Sequence, residues 1–151
     1  MTVELRPITG ENFQAVIKLE VLPEQSGFVA PNVRSIAETY IYPDAEPRAV
    51  YADDEPVGFV LFHPVDKDRP AEGHCIVRLM IGHRFQGRGL GRRALEAAVE
   101  WIVRERQVGR VRLSVVPSNS TARGLYRSAG FVETGELDHD EIVMVREVLG
   151  P

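Results

Sequence analysis

The 151-residue sequence contains a single cysteine, Cys75, so no intramolecular disulfide can staple the fold and the chain fits a reducing compartment. No apolar run approaches the ~20 residues that a membrane-spanning helix needs. The opening residues, MTVELRPITG, lack the cationic and apolar regions of a signal peptide. The expectation is a cytoplasmic protein with no membrane partner. A chain-wide basic excess is missing too: the net charge is −4, which excludes the sequence-wide electrostatic footprint of a nucleic-acid binder. Lysine is absent from Asp68 to the C-terminus, and neither internal repeats nor low-complexity segments occur. What remains is one globular domain over residues 1–151, long enough to build a core without metal or disulfide.

Periodicity and turn residues divide that domain. Residues 2–8 alternate like a half-buried strand, and a helix carrying Phe13, Val16, Ile17 and Leu19 should end before Pro23. After the loop-like LPEQSGFVAPN, a second helix, capped by Asn32 or Ser35, should present Val33, Ile36, Tyr40 and Ile41 on one face. Pro43 to Pro47 reads as a break, RAVYA and VGFVLFHP as strands of a hairpin turning through DDEP, and HCIVRLMIG as a longer strand. Leu90 to Glu105 has the spacing of an amphipathic helix, with Leu90, Ala94, Leu95, Ala98, Trp101 and Ile102 on its apolar side. RVRLSVV, a short helix in SNSTARGLYRSA, FVETGEL and EIVMVREV complete the order β-α-α-β-β-β-α-β-α-β-β. This predicts an α/β (α+β) fold: a mixed, mostly antiparallel sheet of about seven strands with four helices on its two faces, and one parallel pairing forced by the middle β-α-β unit.

Positive charge is local. Arg84, Arg88, Arg92, Arg93 and Arg104 fall in or just beyond FQGRGLGRRAL, between a predicted strand and a predicted helix. A helix start offers unpaired N–H groups and partial positive charge, and glycines allow close backbone approach, so the stretch suits an anionic group such as a pyrophosphate. A P-loop is excluded because it needs a lysine here. A Rossmann loop needs GxGxxG and an acid ending the next strand, whereas this stretch reads GxGxG and RVRLSVV ends without one. A turn that merely starts a helix remains open on these residues alone.

Two motifs together narrow the choice. Gln86, Gly89 and Gly91 meet the pattern [QR]xxGx[GA], which resembles the coenzyme A pyrophosphate loop of the GNAT N-acetyltransferase superfamily. SNSTARGLYRSAGF resembles the NxxAxxLYxxxGF segment of the same family at Asn119, Ala122, Leu125, Tyr126, Gly130 and Phe131, and the element order resembles that fold along nearly the whole chain. The resemblance implies acetyl-CoA as co-substrate, no metal, and a V-shaped opening between the strand before the glycine loop and the strand after the long helix. The backbone of Leu79, Met80 and Ile81 would pair with the pantetheine arm. Gln86, Gly87, Arg88, Gly89, Leu90, Gly91 and Arg92 would form the pyrophosphate loop, with Arg84 and Arg93 as further charge partners. Asn119 would bind the cofactor arm or cap its helix. Tyr126 would donate a proton to the leaving sulfur, or else pack as a core tyrosine. The glutamate that several relatives carry early in the strand after the long helix is replaced by Ser114. Glu24, Glu72 and His74 are the candidates for a base acting through water, and Cys75 has no apparent base to make it a nucleophile.

The acceptor is a small-molecule amine on this reading. LEVLPEQSGFVAPNVRSIAE, PVGFVLF and GELDHDEIVM resemble the matching regions of bacterial spermine/spermidine and diamine acetyltransferases. A polycation calls for acids, and Glu20, Glu24 and Glu38 are the first candidates, with Asp44, Asp53, Asp54, Glu136, Asp138 and Glu141 behind them. Aminoglycosides, amino acids, and protein N-termini or lysines are alternative acceptors, and a non-catalytic acyl-CoA-binding domain is the alternative to an enzyme. Many relatives form homodimers, but no interface is evident in the sequence.

Overall fold

The computed structural model describes residues 1–148; residues 149–151 of the expected domain lie outside the described residues. Seven strands form one sheet: β1 (Val3–Pro7), β2 (Glu46–Ala52), β3 (Glu55–Pro64), β4 (His74–Ile81), β5 (Arg110–Val115), β6 (Val132–Asp138) and β7 (Glu141–Glu147). The helices are α1 (Phe13–Lys18), α2 (Asn32–Ile41), α3 (Leu90–Arg106) and α4 (Ser120–Ser128). The strand order is β1-β2-β3-β4-β5-β7-β6, and only β4 and β5 run parallel, as the β-α-β unit requires. None of the helices is long and apolar enough to cross a membrane among the described residues.

The β2–β3 hairpin turns on Asp53 and Asp54, whose φ values of 47° and 70° are tolerated better by aspartate than by bulkier residues. Opposite faces of the sheet carry different helices. Leu61 of β3 lies opposite Arg78 of β4, which reaches α2, whereas the adjacent Phe62 points the other way and stacks on Trp101 of α3 at 4.4 Å. The seven apolar-stripe residues of α3, from Leu90 to Ile102, are buried, as amphipathic spacing demands.

Three expectations need correction. Pro47 belongs to β2 rather than to a break, because β1 pairs only as far as Arg48 and the missing N–H of Pro47 therefore falls where β2 is an edge. Neither Asn32 nor Ser35 caps α2: Pro31 holds the cap position and both polar residues are buried within the helix. The helix also turns three of its four expected apolar residues outward, with Val33 52%, Ile41 64% and Tyr40 89% exposed, while Ile36 packs against the core. The reason lies in the partners available inside. Asn32 donates to the Val16 carbonyl at 3.0 Å, and Ser35 accepts from Arg78 at 3.0 Å, so this helix docks through hydrogen bonds.

Strand β4 is held at two special points. Gly58 of β3 sits so close to it that an added Cβ would lie 2.4 Å from the Met80 carbonyl oxygen. Gly58→Ala should therefore destabilise the protein by about 1–3 kcal/mol and shift the backbone amide signals of Leu79–Ile81. Gly10→Ala, where a Cβ meets nothing within 4 Å, is the control. At the other end of β4, His74 is 3% exposed beside Phe62, with Nε2 unpartnered. Burial, reinforced by the Arg106 charge, pushes its imidazole down to about 4. An unfolded chain takes up this proton near pH 6.5, so stability is complete above that pH and falls as pH drops toward 4, by about 2–3 kcal/mol. Urea midpoints measured across that window should show the slope in the natural sequence and a flatter one in His74→Leu.

Candidate active site

The β4–β5 ladder contains two residue pairs, His74 with Val111 and Cys75 with Arg112, and then ends. Both strands continue, β4 to Ile81 and β5 to Val115, so they part. A β-bulge accompanies the separation: Leu61 faces Arg78 while Phe62 faces Ile76, leaving Val77 as the extra residue on β4. Bulges bend the strand that carries them. Leu79, Met80 and Ile81 keep their pairing to β3, through Val60, Phe59 and Gly58, so β4 is rigid on one edge and open on the other. A cleft of about 730 Å³ occupies the gap, within the range of small-molecule sites.

The glycine loop closes one end. Gly87 and Gly89 have φ values of 80° and 76°, and a Cβ at either would meet nothing within 4 Å, so the backbone faces open space. Gly89 caps α3, and the first turn of that helix leaves N–H groups free of intrahelical partners. Gly91 has ordinary backbone geometry, and an added Cβ would meet Leu125 of α4 at 3.7 Å, an ordinary van der Waals distance. Gln86 donates to the Ile81 carbonyl at 2.9 Å and exchanges hydrogen bonds with Gln25 at 3.1 and 3.3 Å. It thus ties the loop to the end of β4 and to the short turn Pro23–Gln25. Leu79, Met80, Ile81, Gln86, Gly87, Gly89, Leu90, Gly91, Asn119 and Tyr126 all line the cleft.

The arginines divide differently from expectation. Neither Arg88 nor Arg92 lines the cleft. Arg92 donates to the Ser128 hydroxyl and carbonyl at 2.6 and 3.2 Å, joining α3 to the end of α4. Arg93 binds the Met1 carbonyl, while Arg84 and Arg88 lie over the Phe85 ring at 5.0 and 5.9 Å. The cradle for an anion is therefore chiefly backbone.

Helix α4 supplies the opposite wall. Asn119 accepts from the Ala122 N–H at 3.3 Å, so it caps the helix while lining the cleft. Tyr126 packs beside Phe131 at 6.2 Å, and burial, with the nearby Glu141 charge adding to it, pushes its phenol up to about 12. The hydroxyl consequently stays protonated at neutral pH. Ser114, on β5, donates to Glu141 Oε1 on β7 at 3.0 Å, and both residues line the cleft. The sequence shows Ser114 where several relatives carry a glutamate and offers Glu141 among the further acids for a polycation; nothing local signals that the two meet.

At the wider mouth, residues 25–31 and Arg34 face Val77 and Arg78 across the cleft. Glu38 does not line it. Its carboxylate lies 2.8 Å from Arg78 and 3.2 Å from Arg34, and although burial opposes ionisation, the two guanidinium groups hold the carboxyl below its ordinary value. Glu20 lines a separate pocket of about 360 Å³ with Lys18 and His83, and Glu24 is exposed on the turn after α1. His74 is buried six residues before Met80, about 20 Å along the strand, and Glu72 sits beyond it. Both are remote from the opening. Cys75 is inert as a nucleophile, since burial, only partly relieved by Arg112, pushes its thiol up to about 11.

Comparison with known proteins agrees with this geometry. The spermine/spermidine N(1)-acetyltransferase of Bacillus subtilis (strain 168) is 30% identical over 155 residues, spanning 98% of this chain and 100% of its own. The aminoglycoside acetyltransferase AAC(6')-Ib in complex with coenzyme A has the same fold, with a TM-score of 0.79 at 20% identity over 97% of this chain and 95% of that one. A spermidine N-acetyltransferase chimera built on the Vibrio cholerae protein superposes with a TM-score of 0.73 at 18% identity, covering 97% and 96% of the two chains. Residues 13–131, from α1 through the glycine loop to Phe131, match the model of the acetyltransferase (GNAT) family, and the chain belongs to that family.

Proposed function

We propose that the protein transfers the acetyl group of acetyl-CoA to a primary amine of a polyamine such as spermine or spermidine, with Tyr126 as the acid for the leaving thiol. The family fixes acetyl transfer; the observation that carries the site assignment is the single cleft shared by the open β4 edge, the glycine loop and Tyr126. Acetyl-CoA supplies a thioester already activated toward an amine. Leu79, Met80 and Ile81 would hold its pantetheine arm through their unpaired edge, and the N–H groups of Gly87, Gly89, Leu90 and Gly91 would bind the pyrophosphate. A backbone N–H at Leu79 or Met80 would stabilise negative charge as it grows on the carbonyl oxygen.

Tyr126 suits the leaving-group role because its phenol remains protonated through the neutral range and lies on the wall opposite β4. Full-length similarity to a polyamine acetyltransferase supports the choice of acceptor. The carboxylate of Glu141 on the cleft wall supports it independently, as an attractive point for a cation. Arg78 and Arg34 at the mouth are offset by Glu38, so the entry is not simply cationic.

A thiol-release assay with acetyl-CoA and a panel of spermine, spermidine, aminoglycosides, amino acids and peptides tests this. Turnover should be fastest with the polyamines; release with another class alone would reassign the acceptor. Tyr126→Phe should keep acetyl-CoA affinity and lower kcat by about 100-fold or more. An unchanged kcat would remove Tyr126 from the chemistry.

A further inference from the structure

The reaction needs a base, because an alkylammonium has a pKa near that of lysine, ~10.4, and only its neutral form attacks a carbonyl. Tyr126 cannot serve, since its phenol is already protonated. Other candidate carboxylates lie elsewhere: Glu20 lines the separate pocket, Glu24 is exposed on the turn after α1, Glu38 pairs with Arg78 and Arg34, Asp54 pairs with Arg6, and Asp138 lies 3.9 Å from Arg112. Among the described residues lining the cleft, Glu141 is the one carboxylate.

Its placement follows from strand pairing. Residues Val115 and Ile142 are paired, so Glu141, at the start of β7, lies beside the C-terminal end of β5, at the end of that strand where it has parted from β4. Ser114 Oγ donates to Oε1 at 3.0 Å, which fixes the carboxylate and leaves Oε2 free. The charged or titratable groups around this corner include Tyr126 from α4, Asp138, His139 and Asp140 at the β6–β7 turn, and Arg112 two residues before Ser114 on β5. Arg112 and His139 both pair with Asp138, so neither occupies Glu141.

We propose that Glu141 is the general base of the acetyl transfer, with Ser114 as its positioning residue. The inference rests on the reading of the cleft given under Proposed function. One proton passes from the acceptor ammonium to Glu141 Oε2, through at most one water, and on to solvent. The neutral nitrogen then forms the N–C bond as the C–S bond breaks. Tyr126 protonates the departing sulfur and is restored by the second proton leaving nitrogen. Each turnover yields one amide, one thiol and one released proton. The base that several relatives place on the strand after the long helix is thus supplied here from β7, and serine, too short to act itself, holds it there.

The test is thiol release by the full chain with acetyl-CoA and spermidine, from pH 6 to 10. Glu141→Gln should lower kcat at pH 7 by about 100-fold or more with acetyl-CoA affinity and thermal midpoint unchanged. Its rate should then recover about tenfold per pH unit, because only the pre-existing neutral amine can react and its fraction grows tenfold per unit below the amine pKa. Ser114→Ala should show the same pH trend with a smaller loss, and Glu141→Asp should retain part of the activity and cover the case in which Glu141→Gln folds poorly. Wild-type kcat in Glu141→Gln, or a loss confined to KM with no recovery at high pH, overturns the assignment. A natural protein active with some amine and equally active as Glu141→Gln defeats this inference alone. A natural protein silent with every amine defeats the acceptor reading as well.

Discussion

The short parallel ladder between β4 and β5 is the constraint on which the rest of the structure depends. Two residue pairs join the halves of the sheet, and everything beyond Cys75 and Arg112 opens into the cleft. An open strand edge inside a protein is normally unfavourable, because its N–H and C=O groups lack partners. Here the exposure is tolerable because β3 pins the same residues from the other side, with Gly58 admitting the Met80 carbonyl closer than any side chain would allow. The bulge at Val77 gives β4 the bend that carries it away from β5. A gap that a longer ladder would have filled leaves an open strand edge, the edge proposed above to bind an extended ligand.

Charge is distributed around that gap by role rather than by number. The arginines clustered near the glycine loop looked in sequence like a phosphate patch, yet Arg92 fastens α4 to α3 and Arg93 fastens the N-terminus. By joining Ser128 to the first turn of α3, Arg92 also holds Tyr126 and Gly91 on adjacent walls of one cleft. Any phosphate affinity at the loop would then rest mainly on N–H groups at a helix start, whose direction is fixed by the backbone and costs little side-chain entropy. At the acceptor mouth, one carboxylate, Glu38, balances two guanidinium groups and does not contact the cleft.

What could be read in the sequence was what is written locally. Strand alternation, the Asp53–Asp54 turn, the apolar stripe of α3 and the contiguous stretches Gln86–Gly91 and Asn119–Phe131 each lie within a short window, and each located its element or its wall of the cleft. Features made by pairing distant residues were invisible. Arg78 meets Glu38 across 40 positions, and Ser114 meets Glu141 across 27. The outward turn of α2 was misread for the same reason: its periodicity favours burying Val33, Tyr40 and Ile41, but the buried carbonyl of Val16 and the guanidinium of Arg78 needed partners, and Asn32 and Ser35 answered them.

On the roles proposed for them, the proximity of Glu141 and Tyr126 would join the two proton transfers. Part of what raises the Tyr126 phenol is the negative charge of Glu141. The negative charge of Glu141 adds to burial in holding the proton on the phenol, which would keep the proposed acid loaded before an amine arrives. Once Glu141 had taken a proton its charge would be gone, and the phenol, still raised by its burial, would move part of the way back and become a better donor just when sulfur begins to leave. A phenol raised in part by a neighbouring carboxylate would therefore suit the second task in such a sequence, released when that charge is neutralised. A base placed far from the acid would accept the proton equally well but would leave the phenol unaltered at the moment it must give one up.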